Sequence, residues 1–136
     1  MSVAQNLSYS IVQVAHNFGA VAVVGGSLSA VMFRAVETRK LLAWLVFAGW
    51  GTQAFSGATF GAVSYYFYHQ FPDISGVALD ALIVKIVCVA IGFLLLATYL
   101  FGSSNWTIGR MNSVWVTSSM LAITALSAAA VLRWFS

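Results

Sequence analysis

Charge is what this sequence has least of: six Lys and Arg with three Asp and Glu make up 7% of 136 residues, while 61% are hydrophobic. A soluble domain averages roughly 25% charged residues. The chain therefore cannot cover a water-facing surface, and a mean hydropathy of +0.92 makes the bilayer its expected solvent. Cysteine is nearly absent, and the lone Cys88 excludes an internal disulfide and any Cys-rich metal motif. The net charge of +3 comes from basic residues that are spread out, not gathered into the stripe a nucleic acid would need. Neither a nucleophile elbow nor a Zn-binding HExxH is present, which argues against hydrolytic or acyl-transfer chemistry, and no catalytic residue is assigned. The alternation expected of a membrane β-barrel is missing. No basic segment and no small-residue cleavage site precede the first apolar run, so that run is expected to be a retained span.

What is present are four long hydrophobic runs. A bilayer core about 30 Å thick needs roughly 20 apolar residues per helix, and the spacing predicts spans at 9–33, 41–68, 78–101 and 113–134. The fold expected is an all-α integral membrane protein, a single antiparallel four-helix bundle over residues 1–136. The breaks between runs are Arg34, Glu37, Arg39 and Lys40, then Pro72 and Asp73 with Ser75-Gly76, then Gly102 to Asn105 leading to Arg110. Arg34, Arg39, Lys40 and Arg110 lie in the first and third breaks and the second has no basic residue, so the positive-inside rule puts the first and third in the cytoplasm. Both termini and the 69–77 loop then face outward, which in a bacterial inner membrane means the periplasm.

That orientation gathers the rare polar residues at one end. His16 lies less than two turns into the first expected span, His69 closes the second, and Asp80 and Lys85 open the third. An ionisable residue inside a span is a functional hypothesis by default. His16 shares a helical face with Tyr9, Gln13, Gly19, Ala20, Val23, Ser27 and Ala30, a small and polar stripe of the kind that lets membrane helices approach closely. His69 continues a similar face through Tyr65, Ala62, Ala58 and Ala54, with Gly57 and Gly61 one step round, and Lys85 shares a face with Leu82, Cys88, Val89 and Gly92. Each residue has a plainer role open to it. His16 hydrogen-bonds a neighbouring helix, His69 is solvated at the boundary, Lys85 snorkels or pairs with Asp80, and Cys88 is a small buried hydrophobe. The chemical alternative is a metal centre: haem b or copper on His16, with His69 as second ligand or at the way in, and Lys85 near a haem propionate.

Ala15-His16-Asn17-Phe18-Gly19 followed by Gly25-Gly26 resembles the first span of the copper-resistance protein D type membrane domain, where a histidine precedes a Gly-Gly at a similar interval. Arg34 after the first span, Ala81-Leu82-Ile83-Val84-Lys85 opening the third, and Asn105 to Arg110 before an Ala-rich last span are also similar. The family's last span often carries an acidic residue near its start, and Asn112, Ser113, Thr117 and Ser118 stand there instead. The resemblance implies a compact inner-membrane domain linked with copper handling, and related haem-binding proteins of similar plan imply haem b. Two further readings stay open. One is a non-catalytic accessory subunit of a larger respiratory or photosynthetic complex, which accounts for the minimal loops. The other is a small-solute or proton transporter acting as an oligomer, although no internal repeat of the kind common in transporters is evident. The expected partners are the lipid bilayer and a homo-oligomer or larger membrane complex.

Overall fold

The computed structural model describes residues 2–136. Four helices fill it: α1 over Val3–Met32, α2 over Val36–Tyr68, α3 over Gly76–Gly102 and α4 over Ile108–Phe135, with a single 3-10 turn at Ser103–Asn105 closing α3. Each of the four expected spans lies on one helix, the first overrunning the end of α1 by the single residue Phe33, and the helices otherwise run further. α1 begins at Val3, where the Ser2 hydroxyl accepts from the Gln5 N–H at 3.2 Å. α4 begins at Ile108, where Thr107 does the same for the Arg110 N–H at 3.2 Å.

The first break is shorter than its charges suggest, since only residues 33–35 leave the helix. Glu37 occupies the first turn of α2, where a helix N-terminus favours negative charge. Arg39, only 5% exposed, donates from Nε to the Ala30 carbonyl at 3.1 Å. That bond satisfies one of the orphan carbonyls at the end of α1, whose own last turn has no basic residue.

Each helix packs against two neighbours, in the ring order α1, α2, α3, α4 and back to α1. Close approach rests on glycine at three places, one of them Gly49 of α2, where a Cβ would stand 2.8 Å from Val23 Cγ2. A Cβ on Gly26 would stand 2.6 Å from Val46 Cγ2, and one on Gly92 would stand 2.4 Å from the Trp50 indole. Trp50 and Trp115 are the largest fully buried side chains, and Ser27 of α1 meets Ser118 of α4 at 2.8 Å.

Three helices, α1, α3 with its 3-10 extension and α4, are long and apolar enough to cross a membrane. The outer surface agrees, with Phe18, Phe55, Leu94 and Met120 all exposed. One expected face differs from the structure. On α2 the buried residues are Arg39, Ala43, Val46, Gly49, Trp50, Gln53, Ser56 and Ser64, while Ala54, Gly57, Ala58 and Ala62 point out of the bundle.

Candidate functional site

The polar centre of the bundle is built on His16. At 1.5 Å per residue His16 stands about 20 Å from Val3 and about 24 Å from Met32, so it lies near the middle of α1 and not within two turns of an end. The early start of α1 is the reason. Opposite it, α2 supplies Ser56 and Gln53, and α3 supplies Lys85 about 14 Å in from Gly76.

The contacts form a directed chain. Ser56 Oγ lies 2.5 Å from the Thr52 carbonyl one turn back, and a carbonyl can only accept, so the serine proton is spent there. Ser56 Oγ also lies 2.6 Å from His16 Nδ1, which must therefore be the donor in that contact. This leaves a lone pair on Nε2, and Lys85 Nζ donates to it at 2.8 Å. A doubly charged pair at that distance would repel by about 6 kcal/mol at an effective dielectric of about 20, so the pair carries at most one positive charge, and Nζ, the donor of the contact, is where that charge resides. Gln53 Nε2 donates to the His16 backbone carbonyl at 2.5 Å, and the Phe60 ring meets the imidazole edge-on at a centroid distance of 5.7 Å. Three helices are thereby tied at one depth.

No family model, curated protein or solved structure matches this chain. The site must be read from its own chemistry.

Of the residues singled out from sequence, the structure brings His16 and Lys85 together and leaves His69 apart. His69 caps the C-terminus of α2 in a left-handed conformation, φ 55°, where its N–H donates to the Tyr65 carbonyl at 2.8 Å. It is exposed and lies about 20 Å beyond Ser56 along α2, too far to share a ligand with His16. Asp80 is exposed on α3, and the partner that Lys85 finds is His16. Cys88 is buried one turn further along α3.

The donor set does not fit the metal centres that the resemblance implies. Both ring nitrogens of His16 already have partners, and among the described residues no three His, Cys, Asp or Glu side chains converge. Haem would need an open slot beside the imidazole. His16 lines neither of two surface grooves, one at the end of α2 around Ala58, Ala62 and His69, the other along α1 and α2 around Gly19, Gly26 and Gly49. Ser56 and Gln53 were not singled out from sequence. Two polar residues three apart in an apolar helix are the signal that marks them, because such residues bond across helices in membranes.

Proposed function

We propose that this chain is a multi-pass protein of the bacterial inner membrane that moves a small ion or solute, acting as an oligomer, through a site formed by Lys85 and His16. All four helices cross the bilayer in this reading, with both termini on the periplasmic side. Two features support α2 as the fourth span. Its 33 residues match the other helices in length, and it lies along α1 from the Arg39–Ala30 contact to the Tyr9–Phe60 stack, so it covers the same depth. Its lower hydropathy comes partly from Gln53, Ser56 and Ser64, which face inward and never meet lipid. The gathering of Arg34, Arg39, Lys40 and Arg110 at one end supports the orientation.

The observation that carries the function is the 2.8 Å contact between the Lys85 amine and the His16 imidazole, both half-buried and placed well inside their helices. A charged residue at such depth costs about 2.5–3.5 kcal/mol on insertion scales, and the fold has cheaper ways of joining helices, as Ser27 and Ser118 demonstrate. Intramembrane cations of this kind mark ion and solute pathways. The test is proton flux into vesicles reconstituted with the full chain and loaded with a pH-sensitive dye, under an imposed pH gradient. The wild type is expected to exceed protein-free vesicles, and Lys85→Met to fall to their level. Equal flux in both, or a Soret band in the purified protein that His16→Ala abolishes, would return the site to a structural or a metal-binding role.

A further inference from the structure

Among the described residues Lys85 has no counter-ion. The sequence holds three carboxylates. Glu37 lies in the first turn of α2 at the opposite end of the bundle, Asp73 lies in the loop before α3, and Asp80 is exposed. No ion pair joins any of them to Lys85 among the described residues, and His16 is its one hydrogen-bond partner. An ammonium has three N–H donors, so two remain unspent on a side chain that is half-buried and flanked by the apolar Val84 and Ile86. A cation held in a low-dielectric setting with idle donors calls for an acceptor from outside.

The neighbours limit what that acceptor is. The His16 Nδ1–H is committed to Ser56, the Ser56 hydroxyl to Thr52 and the Gln53 amide to the His16 carbonyl. An incoming group therefore meets one positive charge, with the idle N–H groups of Lys85 and the second amide N–H of Gln53 as its donors. We infer that the solute received at Lys85 is a small monovalent anion, a halide or a single carboxylate, an inference that rests on the transport reading. One such anion neutralises the pair, and a neutral load is the form that hydrocarbon tolerates at least cost. A divalent anion would leave a net negative charge at the same depth.

Binding and flux are read separately. The thermal unfolding midpoint of the full chain in detergent is measured in sodium chloride, sodium formate and sodium sulfate at one ionic strength. Chloride or formate is expected to raise the wild-type midpoint above that in sulfate. The shift should vanish in Lys85→Met and persist in Lys85→Arg, which keeps the charge, with both variants eluting as the wild type does. Equal midpoints in all three salts, or a shift that survives Lys85→Met, would overturn the inference. In vesicles, Lys85-dependent proton flux is expected in chloride or formate and not in sulfate. Flux that persists unchanged in sulfate defeats the anion and leaves the transport reading standing, whereas loss of all Lys85-dependent flux defeats that reading.

Discussion

Gly92→Ala is the substitution whose cost the packing defines most sharply. The added Cβ would lie 2.4 Å from Trp50 Cε2 and 2.7 Å from both Cζ2 and Nε1. Carbon atoms rest comfortably at about 3.5–4.0 Å, so the indole or α3 must retreat by about 1 Å. Trp50 is 1% exposed and has nowhere to go. Overpacking of this kind costs about 1–3 kcal/mol, against a gain of about 0.5–1 kcal/mol for replacing a mid-helix glycine by alanine. The net expectation is destabilisation by about 0–2.5 kcal/mol from those two terms, with the buried indole placing it toward the upper end. Gly57→Ala is the control, because its Cβ meets nothing within 4 Å, and it should keep the propensity gain alone. Reversible unfolding in mixed micelles, followed by circular dichroism, reads both. Trp50→Leu should remove most of the penalty of Gly92→Ala by deleting the ring it strikes. If Gly92→Ala and Gly57→Ala moved stability in the same direction, the reasoning from the α2–α3 contact would be refuted.

The remaining predictions concern the basic end of the bundle. Arg39→Met should cost about 1–3 kcal/mol, because it strips the Ala30 carbonyl of its buried donor, while the exposed Arg34→Gln should stay within about 0.5 kcal/mol; equal effects in the same unfolding assay would contradict the capping role. For the orientation, alkaline phosphatase fused after Pro72 should be active in a bacterial host and the same fusion after Arg34 inactive; the opposite pattern would invert the bundle.

Much of the fold was legible because continuous apolar runs have few ways to satisfy their backbone in lipid, and helices are the simplest. Helix ends were not. The expected first span opens at residue 9, yet the Ser8 and Ser10 hydroxyls bond the Ala4 and Asn6 carbonyls one turn back, at 2.9 and 2.8 Å, within a helix that already runs from Val3. That hidden length moved His16 to mid-helix. The charges of 37–40 read as a loop for the complementary reason: Glu37 suits the start of a helix and Arg39 the end of the previous one, so a charged run here marks a helix junction. Of the site, His16 and Lys85 were visible as costly residues, but their contact depends on the rotation of two helices distant in sequence, which no local pattern encodes.

The misjudged face of α2 shows why small residues alone are a poor guide to the inside of this bundle. A glycine is useful to packing only when something large enters the space it leaves, so one side of each contact must be bulky. α2 presents Val46 to Gly26 of α1 and Trp50 to Gly92 of α3, and receives Val23 against its own Gly49. Beyond Trp50 it turns from bulk to hydrogen bonding, offering Gln53 and Ser56 to His16. The stripe from Ala54 to Ala62 lies on the other, exposed side of the helix. The inward face of α2 is thus set by what its neighbours lack, volume opposite their glycines, an acceptor in Ser56 for the imidazole and a donor in Gln53 for the His16 carbonyl, and Lys85 of α3 completes the polar layer.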